Sequence, residues 1–168
     1  TLQEVVGRLL ADRELTVATA ESCTGGLIAR FLTDVPGASA WFRGGWVTYA
    51  TDLKQHQLGI PADVLARHGP VSEPVARLMA ESACRLAEAD YGLATTGIAG
   101  PDGGSPDVPV GTVWIALAAR HGRTTAAELL RFPGDRDLVR DRAAKTALNM
   151  LRLALLESWK RRTRTNTD

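Results

Sequence analysis

The chain has 168 residues, of which 45% are hydrophobic, and its 20 Lys and Arg residues against 19 Asp and Glu residues give a formal net charge of +1. This length fits one domain with a full core, and the balanced charge excludes the global field that recruits nucleic acid or an anionic membrane. No stretch approaches the ~20 apolar residues of a membrane span, no secretory leader is recognisable and only two cysteines are present, so we expect a soluble, cytoplasmic protein.

Helix and strand patterns alternate along the first part of the chain. Apolar residues recur at helical spacing in some segments, whereas β-branched, small or aromatic residues in others are typical of strands. The pair Gly44-Gly45 inside the second strand indicates a bulge or a close backbone approach. The patterns predict, in order, a helix over 2–13, a strand over 15–22, a helix over 27–35, a strand over 41–50 and a short helix over 52–58.

The second part begins and ends with a helix that has a recognisable N-cap. Ser72 precedes Glu73-Pro74, and Asp135 precedes the last apolar rhythm. The patterns predict a helix over 73–88, strands over 91–97, 110–120 and 124–132, a hairpin around His121-Gly122, and a helix from 136 to about 160 with Val139, Ala143, Thr146, Ala147, Met150 and Ala154 facing inward.

This order of elements predicts the fold class and the domain limits. Helices and strands alternate early and a hairpin comes late, which favours a three-layer α/β/α domain on a mixed sheet. We expect a single domain over 1–162 followed by a frayed C-terminal tail over 163–168, without internal repeats.

Two Gly-rich segments begin where predicted strands end. They are 24-TGG-26 and 97-GIAGPDGG-104. Ligands of open α/β sheets collect at the carboxyl ends of strands, where backbone N–H groups are free. One such segment alone is more often an ordinary turn, but two favour a site for an anion or the oxyanion of an acyl transfer. The second segment has the spacing of neither a Walker loop nor a dinucleotide fingerprint.

The candidate nucleophiles are Ser22 and Cys23. If the strand continues through residue 23, the two side chains point to opposite faces and only one can face a given cleft; spacing does not say which. A serine needs a base, and His56, His68 and His121 all lie in helix-end or turn contexts typical of solvated histidines. A Ser-His-Asp arrangement is therefore poorly supported.

A lysine can replace the histidine base when burial lowers its pKa. Lys54 lies about a turn of helix beyond a strand end and five residues after Tyr49, so an amine and a phenol can relay a proton to or from a serine, although a solvated lysine is the commoner outcome. Arg136 and Arg140, one turn apart, can hold a phosphate, although such pairs are more often solvated. No ligand spacing predicts a metal site.

Six segments carry a resemblance to a known family: 19-TAESCTGGLIA-29, 46-WVTYATDLKQHQLGI-60, 69-GPVSEPVARLMA-80, 95-TTGIAGPDGG-104, 109-PVGTVWIAL-117 and 132-FPGDRDLVR-140. Together they closely resemble the CinA C-terminal domain family, whose characterised members are nicotinamide-nucleotide amidohydrolases. The resemblance implies a stand-alone homodimeric enzyme that hydrolyses the carboxamide of nicotinamide mononucleotide, giving nicotinate mononucleotide and ammonia in pyridine nucleotide recycling. It implies no metal and no organic cofactor.

The resemblance also implies which residues act. The family's catalytic serine falls on Ser22, its tyrosine on Tyr49 and its lysine on Lys54, so that Ser22 attacks the amide carbon while Lys54, with Tyr49, moves the proton. Amides at residues 24–26 would stabilise the oxyanion, and the 97–104 loop would bind ribose or phosphate. The residues predicted to bind substrate are Thr24, Gly25, Gly26, Thr96, Gly97, Gly100, Gly103, Gly104, Arg136 and Arg140.

Two alternatives remain open from the sequence. One is a nucleotide-binding module without catalysis that uses the same Gly-rich loops as a sensor or partner domain. The other is a hydrolase that depends on Cys23.

Overall fold

Six helices and five strands make up the part of the chain that the computed structural model describes, residues 1–120 and 123–165, with side chains described for 1–120 and 126–158. A short 3-10 helix lies at Ala38–Ala40. The elements are α1 (Leu2–Ala11), β1 (Val17–Glu21), α2 (Leu27–Thr33), β2 (Phe42–Val47), α3 (Thr51–Leu58), α4 (Ala62–His68), α5 (Glu73–Leu86), β3 (Tyr91–Gly97), β4 (Thr112–Ala119), β5 (Arg123–Arg131) and α6 (Arg136–Thr165).

The strands form one mixed sheet in the order β2-β1-β3-β4-β5. β1 pairs in parallel with β2 and β3, whereas β4 is antiparallel to both β3 and β5. The carboxyl ends of β1, β2 and β3 therefore lie at the same edge, and the segments that follow Glu21, Val47 and Gly97 start side by side. The mixed α/β sheet that the sequence predicts is confirmed.

Both faces of the sheet are covered, so β1 is buried along its whole length and β3 at all but its two end residues. One face packs against α1, α2 and α6 through large side chains such as Ile28, Leu93 and Leu148. The other face carries alanines of β1, β3 and β4 beneath α5. A Cβ atom at Gly92 would collide with the backbone oxygen of Ala80, so small residues let α5 lie close to the sheet.

The close approach predicted at Gly44-Gly45 is confirmed. The register between β1 and β2 shifts between Val17 and Ala18, as at a β-bulge. A Cβ atom at Gly45 would collide with the hydroxyl of Thr19 on the neighbouring strand.

The helix caps behave differently from each other. The Asp135 carboxylate accepts a 2.9 Å bond from the Leu138 amide, as an N-cap does. Ser72 precedes α5 as predicted, but its hydroxyl donates to the Gly69 carbonyl at 2.8 Å instead of accepting from the helix.

The last helix is longer than the sequence predicts. Its backbone continues to Thr165, so residues 163–165 of the predicted frayed tail are helical, while 166–168 and the predicted turn at His121-Gly122 lie outside the described residues. Val139, Ala143, Ala147 and Met150 are buried as predicted, whereas Thr146 and Ala154 are half-buried. The limit at residue 162 stays a prediction.

Candidate active site

A pocket opens where the carboxyl ends of the three parallel strands meet. Its walls come from the β1–α2 turn, the segment from Tyr49 into α3, the α4–α5 loop, the loop after β3 and the start of α6. The lining residues are Ser22, Cys23, Tyr49, Thr51, Lys54, Pro70, Val71, Thr96, Gly97, Ile98, Ala99, Gly100, Asp102, Gly103 and Arg136.

A serine and a lysine meet at the base of this pocket. Ser22 follows the last residue of β1, and Lys54 comes from α3, which begins just after β2. The Lys54 amine donates to Ser22 Oγ at 3.0 Å and to the Thr48 carbonyl oxygen at 2.7 Å. Lys54 is 1% exposed and Ser22 is 7% exposed, so the pair is shielded from bulk water on most sides.

Burial changes the chemistry of this lysine. Desolvation disfavours the charged ammonium and lowers the pKa of Lys54 from 10.5 to about 8. A neutral amine is therefore accessible near neutral pH, and its lone pair can accept the proton that a serine hydroxyl loses on attack. The pair has the geometry and the pKa of a nucleophile with its general base.

Cys23 lines the same pocket but has different properties. The expectation that only one of Ser22 and Cys23 faces the cleft assumes a strand through residue 23, but β1 ends at Glu21, strand alternation does not apply beyond it, and both residues line the pocket. The Cys23 thiol is buried, and desolvation raises its pKa to about 12. Since the thiolate is the nucleophilic form of cysteine, a protonated thiol is a poor nucleophile.

Tyr49 lies at the pocket mouth, where it is 57% exposed. Its hydroxyl accepts a 2.9 Å bond from Arg136, and the same guanidinium donates to the Gly100 carbonyl oxygen at 2.7 Å. The hydrogen bond to the Tyr49 phenol raises the pKa of Arg136 above its ordinary value, so the arginine stays cationic. These bonds join three segments of the pocket rim. Among the described side chains, Tyr49 is thus bonded to Arg136 and not to Ser22 or Lys54, which differs from the predicted relay.

The glycine pair after Ser22 shapes the turn into α2. Gly25 and Gly26 have φ angles of 61° and 94°, in the left-handed region that favours glycine. The Gly25 amide donates to the Ser22 carbonyl at 3.0 Å, and the Gly26 amide donates to the Glu21 carboxylate at 3.1 Å. Both amides are therefore already used and are not available as the anion or oxyanion donors that the sequence predicts. The Thr24 amide has no acceptor among the described residues, but Thr24 is fully buried and does not line the pocket, so its predicted contact with substrate has no support in this geometry.

The two arginines predicted to act together have separate positions. Arg136 lines the pocket, whereas Arg140 donates to the carbonyls of Cys23 and Thr24 at 3.2 and 3.1 Å and lies 3.8 Å from the Asp137 carboxylate. Arg140 therefore supports the turn that carries Ser22, and its predicted contact with a phosphate has no support in this geometry.

The loop after β3 forms one wall of the pocket. Thr96, Gly97, Gly100 and Gly103 line it as predicted. The Thr96 hydroxyl donates to the Pro70 carbonyl at 2.7 Å, which fixes the α4–α5 loop against this wall. Gly104 is not among the lining residues, and a Cβ atom there would lie 2.8 Å from the Val110 amide.

Several lining residues were not predicted. Thr51, Pro70 and Val71 lie inside the segments that carry the family resemblance, so that resemblance was the available signal. Asp102 lies in the second Gly-rich segment, of which only the glycines are predicted to bind substrate. His56 and His68 are exposed, as their sequence contexts predict.

Two kinds of feature are absent from the described residues. No helix within 1–120 or 123–165 is both long and apolar enough to cross a membrane. In the same ranges, no cluster of three or more His, Cys, Asp or Glu side chains is arranged to hold a metal ion.

Fold and pocket together define the class: a mixed-sheet α/β/α protein whose pocket holds a serine hydroxyl against a buried lysine amine at the carboxyl end of a parallel strand. The chain belongs to the CinA family, because the family model described as "CinA C-terminal domain" matches residues 1–155.

Relatives of known name fall into two groups by length. The chain is 51% identical over 151 residues to the nicotinamide-nucleotide amidohydrolase PncC of Escherichia coli K12, which covers 89% of this chain and 90% of that protein. It is 56% identical over 164 residues to a putative competence-damage inducible protein of Symbiobacterium thermophilum, and it spans only 38% of that longer protein. The chain thus covers a little under two fifths of the length of these longer CinA-like relatives.

Solved structures of similar proteins share the fold over nearly the whole chain. The competence/damage inducible protein CihA from Agrobacterium tumefaciens is 42% identical, with a TM-score of 0.85 over 92% of this chain and 94% of that one. The competence damage-inducible protein A from Klebsiella pneumoniae is 37% identical, with a TM-score of 0.88 over 92% and 95% of the two chains.

Proposed function

We propose that this protein hydrolyses the carboxamide of nicotinamide mononucleotide to nicotinate mononucleotide and ammonia, in pyridine nucleotide recycling. The observation that carries the proposal is the 3.0 Å contact between Ser22 Oγ and the buried amine of Lys54 inside the pocket. The choice of substrate rests on the relative named nicotinamide-nucleotide amidohydrolase, which is 51% identical and matches over 90% of its own length.

The acylation half of the reaction follows from this pair. Ser22 Oγ attacks the carboxamide carbon while its proton passes to the neutral Lys54 amine, and a tetrahedral oxyanion forms. The C–N bond then breaks and Lys54 returns the proton to the departing nitrogen. Ammonia is released, and the acyl group stays bound to Ser22 as an ester.

Deacylation reverses these roles with water. Neutral Lys54 accepts a proton from a water molecule that attacks the ester carbon, and the second tetrahedral intermediate loses Ser22 Oγ, which takes the proton back from Lys54. Nicotinate mononucleotide leaves as a carboxylate. In this scheme Tyr49 acts from the pocket mouth, where it holds Arg136 in place.

Charges along the pocket support an orientation for the nucleotide. Lys54 and Arg136 are the cations among the lining residues, and Lys54 is committed to the serine. We therefore assign the substrate phosphate to Arg136 at the rim, where a guanidinium can make charge-assisted bonds to phosphate oxygens. The glycine-rich wall over 97–103 then lies beside the ribose.

The experiment is ammonia release from nicotinamide mononucleotide by the purified chain, compared with nicotinamide riboside and nicotinamide. We expect turnover of the mononucleotide, weaker turnover of the riboside because it lacks the phosphate, and very little of free nicotinamide. Calorimetric binding of the mononucleotide without any ammonia release would instead favour the noncatalytic nucleotide-binding module.

A further inference from the structure

We propose that Glu21 is a positioning residue for Ser22: its buried carboxylate holds the turn over 22–26 and thereby keeps Ser22 Oγ against the Lys54 amine. Glu21 is the last residue of β1, directly before the serine, and is 1% exposed. The kinetic part of this inference rests on the proposed function, while its chemical-labelling part below does not.

The Glu21 carboxylate accepts four hydrogen bonds from the turn and the first residues of α2. Its Oε2 accepts from the Thr24 hydroxyl at 2.6 Å and from the amides of Gly26 and Ile28 at 3.1 Å each. Its Oε1 accepts from the Ala29 amide at 2.8 Å. The first amides of a helix have no partners within the helix, and Gly26 at the N-cap has no side chain to serve them. Glu21 therefore supplies the missing acceptors from the end of the strand.

Two threonine hydroxyls continue this hydrogen-bond network from Glu21 to the neighbouring strand β3, and the direction of donation along it is fixed. Thr24 Oγ1 has a single proton, which it donates to Glu21, so the 2.7 Å contact between Thr24 and Thr95 has Thr95 as the donor. Thr24 and Thr95 are fully buried, which leaves no water to replace a lost partner. The Glu21 carboxylate is therefore the final acceptor in the series of hydrogen bonds that runs from Thr95 through Thr24.

Ser22 lies within this framework. Its amide donates to the Thr95 carbonyl at 3.0 Å, and its carbonyl accepts from the Gly25 amide at 3.0 Å. Glu21 and Thr24 flank it on the two sides, with only Cys23 between Ser22 and Thr24. A displacement of roughly 1 Å at a reacting group can cost on the order of 10²-fold in rate. The carboxylate thus controls the nucleophile without touching the substrate.

The test compares Glu21→Gln with a matched variant at the other end of the same strand. Asp90 accepts from the Thr16 amide and hydroxyl at 2.9 Å each, next to the start of β1 and away from the pocket lining. Asp90→Asn is likewise an isosteric loss of one acceptor and one charge. We expect Glu21→Gln to lower kcat for ammonia release by on the order of 10²-fold with KM changed less than about threefold. Asp90→Asn should lower Tm but keep kcat within about twofold of wild type.

A second readout works without the nucleotide. Phenylmethylsulfonyl fluoride labels an activated serine: the Oγ–S bond forms, the S–F bond breaks, fluoride leaves, and the hydroxyl proton passes to Lys54. Intact-mass kinetics with peptide mapping should show Ser22 labelled in wild type and labelled on the order of 10²-fold more slowly in Glu21→Gln. Labelling of wild type without ammonia release would reject the proposed substrate and leave the positioning role intact.

Three results would overturn the positioning role. The first is a Glu21→Gln variant whose kcat and labelling rate both stay within about twofold of wild type. The second is an equal loss of kcat in Asp90→Asn at a similar Tm. The third is a wild type that neither releases ammonia nor is labelled at Ser22. If Glu21→Gln does not fold, Thr24→Val replaces it in both assays, because it removes the 2.6 Å bond and keeps the three amide bonds to the carboxylate.

Discussion

Replacing Lys54 by methionine should stabilise the protein at neutral pH while abolishing its activity. Burial lowers the pKa of Lys54 from 10.5 to about 8, and one pKa unit corresponds to about 1.4 kcal/mol, so keeping this lysine in the folded protein costs about 3 kcal/mol at pH 7. Methionine has a similar length and no charge. The variant loses the bonds to the Thr48 carbonyl and to Ser22 Oγ, worth about 1 kcal/mol each, which leaves a net gain of about 1 kcal/mol.

The sign of the pH dependence follows from the same pKa. Between pH 8 and 10.5 the unfolded chain binds more protons at Lys54 than the folded chain, so wild-type stability rises with pH through this window. At about pH 9.5 the cost of Lys54 falls to about 1.4 kcal/mol, so the stability difference between Lys54→Met and wild type should shift by about 2 kcal/mol in favour of wild type.

Urea unfolding at pH 7 and about pH 9.5, followed by far-ultraviolet circular dichroism, measures this change for wild type and Lys54→Met. Lys145→Met is the control, because Lys145 is 58% exposed and pairs with Asp141 on the surface of α6. The control should show little change in its stability difference between the two pH values. If the Lys54→Met difference were equally independent of pH, the lowered pKa of Lys54 would be refuted.

Three further predictions concern activity on nicotinamide mononucleotide. The value of kcat/KM should rise with pH and level off above about 8, because only neutral Lys54 accepts the serine proton; a flat profile from pH 6 to 9 would contradict this. Cys23→Ala should keep kcat within about threefold, because the pKa of about 12 leaves the thiol protonated, and a loss of several hundredfold would implicate the sulfur. Arg136→Gln should raise KM by about tenfold or more with little change in kcat, since a charge-assisted bond contributes about 1.5–3 kcal/mol; an equal effect with nicotinamide riboside would exclude a phosphate contact.

The sheet and its main helices could be predicted because the sequence features that form them lie within each element. β1 and β3 are buried on both faces, α5 and the last helix begin directly after Ser72 and Asp135, and Gly45 marks a strand contact. α4 was missed because Leu65 is its one buried residue in seven, which is too weak a pattern to detect. The end of the last helix was placed too early because no residue between 160 and 165 stops a helix.

The site was only partly accessible for a different reason. The residue types of Ser22 and Lys54 marked them as candidates for a nucleophile and its base. Their 3.0 Å contact, however, depends on the parallel pairing that places the ends of β1 and β2 side by side. The sequence could not show that Glu21 would turn back onto the amides of α2, because that depends on the path of the turn. It also could not separate Arg136 from Arg140, whose helical spacing is compatible with a shared ligand. The homodimer, the cytoplasmic location and the absence of cofactors stay predictions.

The central claim is that Ser22 is the nucleophile of an amidase, and the most direct test is ammonia release from nicotinamide mononucleotide by Ser22→Ala. Removing the hydroxyl 3.0 Å from Lys54 leaves the pocket and the fold in place, so Tm and nucleotide binding should stay close to wild type. We predict a loss of kcat of at least about 10³-fold. A folded Ser22→Ala protein that releases ammonia at the wild-type rate would contradict the proposed mechanism.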